Sequence, residues 1–260
     1  MDHGAPSPAG LEDGELHLWC SVPDPTVPAA ELERLLQPEE LARSRTMGMT
    51  PRRREYLQTR ALVRQALSAY APTAPSAWRF RTGPHGRPEL DPPSRLRFNL
   101  SNCRGLVTCL VGLDRELGVD VEPVDRAADV VELAGRILSP AERRELAGLA
   151  TTEARHDLAL SLWTLKEAYL KARGLGLTLS PPSISFSTAP DAISLRAAAA
   201  VEPAPERWTF ASVALGRHRV AVAAGPGPER PSLLRLCRMI PPPSPLPRVD
   251  TRTRSTSCAS

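Results

Sequence analysis

The sequence predicts an α+β fold organised as two similar subdomains. Helix-like and strand-like segments are mixed in both halves, without the regular strand–helix alternation of a parallel α/β sheet. Leu106–Leu113 and 117–122 read as a strand pair joined through Asp114-Arg115-Glu116, and both halves carry a few antiparallel-type strands. The 260 residues, 42% of them hydrophobic, suffice for one large domain or two small ones. A boundary near Asp114 gives an N-terminal α+β subdomain at 14–113 and a C-terminal one at 114–224. No clear sequence repeat relates them.

Residues 1–13 are polar and are expected to be disordered. Residues 15–22 alternate like a strand. Residues 29–46 read as a helix. A second helix, 51–70, is opened by Thr50 as N-cap with Pro51 at the first helical position. Short strands at 77–82 and 96–99 flank the turn Gly83-Pro84-His85-Gly86-Arg87-Pro88. Past the central strand pair, 127–137 is helical, and Ser139-Pro140-Ala141-Glu142 is a capping-box opening for a helix to about 149. A long helix over 154–173 stops at Gly174 and Gly176. Weaker strands follow at 183–188, 193–197, 207–214 and 218–224. From Gly225 the chain carries eight prolines in 36 residues, which predicts a disordered Pro/Arg-rich tail.

The net charge of +4 and a pI near 9.0 suggest a nucleic-acid partner. The distribution opposes it: residues 225–260 hold six arginines against Glu229 and Asp250, so the tail carries the whole excess and the body is formally neutral. Aromatic residues, at 4%, are also too few for base stacking. No run reaches the roughly 18 apolar residues of a membrane span, and the N-terminus shows no hydrophobic signal region. The five cysteines show no metal-ligand spacing, so a cytoplasmic protein with free thiols is expected.

Of the 33 Lys and Arg residues only two are lysine, Lys166 and Lys171, and both lie in the long helix. Arginine is a permanently charged fork, whereas lysine is a compact point charge that can give up a proton. A chain so averse to lysine retains two where an ammonium is needed, or by chance on a solvated helix face. The two asparagines, Asn99 and Asn102, are equally clustered. In the strand Gly118-Val119-Asp120-Val121-Glu122 the two acids share one face and the valines the other. Paired carboxylates repel unless a cation lies between them, and Mg²⁺ suits such a pair. The alternative is an exposed strand with two solvated acids. On the long helix, Trp163, Glu167 and Lys171 form one stripe, while Leu158, Leu162, Leu165, Tyr169 and Ala172 form an opposite, core-facing one; Lys166 lies between. Glu167 could be a third oxygen ligand or a base, and Lys171 could meet phosphate. An ordinary i,i+4 surface pair is the competing reading. Arginines 43, 45, 52, 53, 54, 60 and 64 crowd one stretch, where their forks suit phosphate monoesters or form a solvated basic face. Neither a Gly-x-x-x-x-Gly-Lys loop nor a Gly-x-Gly-x-x-Gly turn after a strand is present.

Phe98-Asn-Leu-Ser-Asn102, Gly118-Val-Asp-Val-Glu122 and the block from Trp163 to Leu177 resemble, in order and spacing, the 4′-phosphopantetheinyl transferases of the larger Sfp type. Gly86-Arg87-Pro88 is similar to that family's Gly-Lys-Pro element, and the Arg-rich stretch through Arg64 is similar to its first half. The resemblance covers roughly residues 35 to 190. It implies two similar α+β halves forming a pseudodimer, with the active site in the cleft between them, and a monomer. It implies transfer of the phosphopantetheine arm of coenzyme A to a serine of an apo acyl, polyketide or peptidyl carrier protein, releasing adenosine 3′,5′-bisphosphate. By the same resemblance Asp120, Glu122 and Glu167 would hold Mg²⁺. Glu167 would act as base toward the serine, directly or through water. Lys171 would face the pyrophosphate, with Lys166 helping to form that edge. Arg43, Arg54, Arg60, Arg87, Ser101 and Asn102 would meet the adenosine and its 3′-phosphate.

Two departures stand out. The family's Ser-His is Ser101-Asn102 here, so that position donates hydrogen bonds without carrying charge. The lysine of Gly-Lys-Pro is Arg87. A non-catalytic relative that binds coenzyme A or a carrier protein is the alternative, with Asn102 as its support.

Overall fold

A computed structural model describes residues 10–83, 86–174, 176–189, 192–227, 233–238 and 249–252. The first half runs β1 (Glu15–Ser21), α1 (Ala29–Glu33), α2 (Pro38–Arg45), α3 (Pro51–Ser68), β2 (Phe80–Thr82), β3 (Pro88–Leu90), β4 (Leu96–Cys103) and β5 (Leu106–Leu113). The second half runs β6 (Leu117–Pro123), α4 (Ala127–Glu132), α5 (Ala134–Ile137), α6 (Pro140–Gly148), α7 (Thr152–Arg173), β7 (Ile184–Ala189), β8 (Ala192–Ala197), β9 (Thr209–Leu215) and β10 (His218–Ala224). β11 (Leu233–Arg238) and β12 (Val249–Arg252) follow.

The two halves share one plan. Each opens with a strand, passes through short helices to a long one, makes a two-stranded ribbon, and ends in a hairpin whose second strand pairs antiparallel with the opening strand. The sheet orders β1-β5-β4 and β6-β10-β9 therefore correspond strand for strand. The changeover is the turn at Asp114, whose φ of 45° lies in the left-handed region; it carries the chain from one sheet to the other, so β5 and β6, expected as a strand pair, are not hydrogen-bonded partners.

The core is layered. α3 packs Leu62, Val63 and Leu67 against Val107, Cys109 and Val111 of β5. The other face of that sheet, with Leu16, Leu18 and Leu110, meets Val119, Val121, Val220 and Val222 of the second sheet. The outer face of the second sheet receives α7 through Leu165, Ala168, Tyr169 and Ala172. β5 is buried on both faces, which is why its sequence is almost continuously apolar.

Several expected elements are revised. The single helix over 29–46 is two, because Pro38 at the start of α2 holds Gln37 extended (φ −78°, ψ 159°). The helix expected over 127–137 breaks at Leu133. The expected 77–82 strand shrinks to β2, and the Arg87-Pro88 turn hides a strand, β3. The tail from 225, expected to be disordered, supplies β11, which pairs in parallel with β1 and is fastened where Arg235 donates to Glu15 Oε1 at 2.8 and 3.1 Å. Alternation over Leu234-Arg235-Leu236 was masked by the prolines around it. Residues 228–232, 239–248 and 253–260 of that tail, and 1–9 of the N-terminal segment, lie outside the described residues.

Two contacts hold α7 in place. The first is at Gly118, where a methyl group would lie 1.8 Å from the Ala168 carbonyl oxygen and 2.6 Å from the Ala172 amide nitrogen. Helix backbone touches strand backbone there, which only glycine permits. The second is a buried ion pair. Lys166 is fully buried, its ammonium 2.8 Å from Glu142 Oε2 and bonded to the carbonyls of Pro181 (2.8 Å) and Ile184 (2.5 Å). Glu142 also accepts from the amides of Ser139 and Phe186 at 2.7 and 2.8 Å. The pair thus ties α7 to α6 and β7 with nearly all its hydrogen-bonding capacity used.

Gly118→Ala is expected to destabilise the protein by about 3 kcal/mol, the upper end of overpacking costs, measured by chemical denaturation. Lys166→Met leaves the Glu142 carboxylate buried without its cation and is expected to cost about 3–5 kcal/mol. The double variant Lys166→Met/Glu142→Gln should recover part of that loss, and a double as unstable as the single would refute the pairing.

Candidate active site at the seam between the halves

β4 and β6 lie side by side at the junction of the two sheets, joined by side chains. Asn99 Oδ1 accepts from the Val119 amide at 2.9 Å, and Ser101 Oγ accepts from the Val121 amide at 3.3 Å. Asn99 and Ser101 are alternate residues on β4, so both face the seam. These bonds satisfy the free edge of β6 without closing the gap, and the cleft opens at their end. It measures about 520 Å³ and is lined by Ser101, Asn102, Asp120, Glu122, Arg126 and Lys171 among others.

Ser101 is the hub. Besides accepting from Val121, its Oγ donates to Asp120 Oδ1 (3.1 Å) and accepts from Lys171 Nζ (2.9 Å), which uses the one donor and two lone pairs of a hydroxyl. Lys171 Nζ also lies 2.6 Å from Asp120 Oδ1. Asp120 comes from β6, Lys171 from α7 and Ser101 from the other half of the chain, so the cluster exists only when both halves are assembled.

The cluster has an excess of acid. Asp120 is buried, and its second oxygen, Oδ2, has no hydrogen-bond partner. Such an atom is costly unless a cation approaches it. Glu122 Oε1 accepts from Arg126 Nη1 (2.9 Å) and Trp163 Nε1 (3.2 Å). Burial, and next the Asp120 charge, push the Glu122 carboxyl above its ordinary pKa. Glu167, on the half-exposed stripe of α7 with Trp163 and Lys171, is raised by burial and then by Asp120, against the opposing pull of Lys171. The three carboxylates thus act on one another, yet among the described residues no three of them converge into a closed cage. Glu122 is turned toward Arg126. An oxygen-seeking divalent cation fits this donor set through the orphaned Asp120 oxygen and the two mutually repelling acids.

The other expected site residues divide. Asn102 is exposed and lines the cleft as expected. Lys166 is not on its edge: it points away from the stripe of Lys171 into the Glu142 pair, since five residues place the two lysines well apart around the helix. Arg54 donates to the carbonyls of Asp24 and Val27 at 3.0 and 2.9 Å. Arg60 lies over the Tyr56 ring (5.3 Å to its centroid) and 3.6 Å from Glu40. Arg43 is exposed and lies 5.8 Å from the same ring. Arg64 is fully buried against Glu40 and the Trp78 carbonyl. Most of the arginine cluster therefore braces the first half. Arg87 donates to the carbonyls of Lys171, Ala172 and Leu117. The Cys103 thiol, at the end of β4 on the cleft wall, is pushed up to about 12 by burial first, then by Glu122, Asp120 and Glu55.

Three residues went unassigned in the sequence. Arg126 is signalled only by its i,i+4 spacing from Glu122, across a proline that conceals it. Trp163 lies on the active stripe, and its spacing alone does not show that it donates to Glu122. The role of Asn99 follows from its i,i+2 relation to Ser101.

Comparison with known proteins gives the family. Residues 116–223 match the family model of the 4′-phosphopantetheinyl transferase superfamily. The chain is 33% identical over 178 residues to the 4′-phosphopantetheinyl transferase HetI of Nostoc sp., covering 66% of this chain and 75% of that protein. It is 31% identical over 126 residues to the 4′-phosphopantetheinyl transferase Sfp of Bacillus subtilis, covering 48% of this chain and 54% of Sfp. Among solved structures, the holo-[acyl-carrier-protein] synthase of Neisseria meningitidis aligns with 43% of this chain and 98% of its own, at 19% identity and a TM-score of 0.38. With the seam between its halves built around Asp120, Ser101 and Lys171, and with HetI matched over three quarters of its length, the chain belongs to the 4′-phosphopantetheinyl transferase superfamily.

Proposed function

We propose that this phosphopantetheinyl transferase carries the 4′-phosphopantetheine arm of coenzyme A to a serine of an apo carrier protein in the cleft between its halves, with Mg²⁺ held by Asp120, Glu122 and Glu167. The buried Asp120 carboxylate, whose Oδ1 meets Lys171 Nζ at 2.6 Å while Oδ2 has no hydrogen-bond partner, is the observation that carries the reading. The cation, when bound, supplies positive charge to the pyrophosphate of coenzyme A.

The chain's own residues do the rest. Lys171 is held by Ser101 and Asp120 with its ammonium partly exposed to the cleft, where it stabilises charge growing on the leaving phosphate oxygen. Glu167, one turn earlier, accepts the proton of the carrier serine, whose hydroxyl is a weak nucleophile without a base. The serine oxygen forms the new bond to phosphorus as the bond to the bisphosphate breaks, and adenosine 3′,5′-bisphosphate leaves. Asn102, on the cleft wall beside Ser101, donates to the 3′-phosphate without adding charge. We further assign a cytoplasmic monomer, supported by free thiols and by two halves that build the site within one chain.

The deciding experiment incubates the protein with coenzyme A, Mg²⁺ and several apo carrier proteins and follows carrier mass. The added arm is expected; its absence from every carrier would overturn the reading and favour a binding-only relative. Glu167→Gln should lower transfer at least a hundredfold while raising the melting temperature of metal-free protein by about 2–4 °C, the effect of about 1 kcal/mol in a domain of this size. Near-normal turnover in that variant would remove Glu167 from the chemistry. Asn102→His is expected to tighten coenzyme A binding about 3–10-fold by calorimetry, and unchanged affinity would show that this position does not reach the phosphate.

A further inference from the structure

Arg87 occupies the position where the family resemblance puts a phosphate-binding lysine, yet its guanidinium is committed elsewhere. Nη1 donates to the carbonyl of Ala172 at 2.7 Å and of Lys171 at 3.3 Å; Nη2 donates to the carbonyl of Leu117 at 3.2 Å. Lys171 and Ala172 are in the last turn of α7, where helix carbonyls lack partners within the helix. Gly174, with φ 62°, satisfies the Leu170 and Lys171 carbonyls through its amide and leaves Ala172 to Arg87. A cation there also meets the negative end of the helix dipole. Leu117 immediately precedes Gly118, the point at which α7 touches β6. Arg87 itself enters β3 of the first half. One planar side chain thus joins the ribbon of the first half to both partners of the closest helix–strand contact in the second.

We infer that Arg87 is a positioning residue: its fork clasps the end of α7 to β6 across the two halves and so sets the Lys171 ammonium over Asp120 and Ser101. This rests on the reading of the chain as a phosphopantetheinyl transferase and gives Arg87 a part in it other than phosphate recognition. The clasp needs two nitrogens held in one plane and aimed at three carbonyls; an ammonium keeps the charge and loses that geometry. Small misplacements of a charged group at a reacting centre are costly in rate, so the loss is expected in kcat.

The test compares the full-length protein with Arg87→Lys and Arg87→Gln. Transfer to an apo carrier gives kcat and KM for coenzyme A. Calorimetry gives Kd for coenzyme A and for 3′-dephospho-coenzyme A, and thermal melts give stability. For a clasp, both variants lose about tenfold in kcat and melt at lower temperature, and the ratio of the two Kd values stays within about twofold of wild type. For a phosphate contact, Arg87→Lys retains wild-type kcat and Arg87→Gln drives the ratio toward one; either result overturns the inference. Should Arg87→Gln fail to fold, the kcat and Kd ratio of Arg87→Lys still decide. An inactive wild-type protein would instead speak against the transferase reading, and the melts and binding ratios are read without turnover.

Discussion

The contact on which the site depends is backbone against backbone. At Gly118 the strand β6 and the helix α7 approach so closely that no side chain fits between them. That distance sets where every residue on the inner edge of α7 can reach. Lys171, between the touching residues Ala168 and Ala172, meets Asp120 two residues along the strand from Gly118, and Glu167 lies near enough to feel the same carboxylate. The remaining features of the second half keep this approach in register. The Lys166–Glu142 pair anchors the middle of α7, and Tyr169 and Arg173 both donate to the buried Glu202 near its end, at 2.8 and 2.6 Å.

The seam between the halves turns that geometry into a site. Adjacent strands usually saturate one another's amides with backbone carbonyls, which leaves no room for a ligand. Here Asn99 and Ser101 take over that task, so β4 and β6 are joined yet open at one end. Ser101 does this while holding Lys171 and Asp120, and a single hydroxyl thereby couples the assembly of the halves to the electrostatics of the cleft. The acid excess around Asp120 Oδ2 is the cost of readiness for a cation: partial compensation by Lys171 and Arg126, with two carboxyls raised by burial and repulsion.

Much of this was legible in the residues. Period-two alternation put Asp120 and Glu122 on one face, and period 3.6 put Trp163, Glu167 and Lys171 on another, because these repeats follow from backbone geometry alone. Thr50-Pro51 and Ser139-Pro140-Ala141-Glu142 marked helix starts that the structure retains, with Thr50 accepting from Arg53 and Ser139 from Glu142. The arginines were harder to read. A guanidinium looks the same in sequence whether it meets a phosphate or a carbonyl, and Arg54, Arg64 and Arg87 all meet carbonyls of distant segments. The β11 strand was missed for a related reason: six residues flanked by prolines become a strand only because β1 offers them an unpaired edge.

By itself the sequence determined most of the elements, the strand face that carries the acids, the helix stripe that carries Glu167 and Lys171, and the family to which they belong. These are local properties, written in spacing. The tertiary structure alone decided where Lys166 goes, which the family resemblance had put at the cleft edge. Both are ammoniums on one helix, five residues apart, but about 500° of helical rotation sends Lys166 into a buried pair and leaves Lys171 facing Asp120. It also decided that Arg87 braces the helix end, because the carbonyls it meets lie 30 to 85 residues away in the chain and only folding brings them within reach.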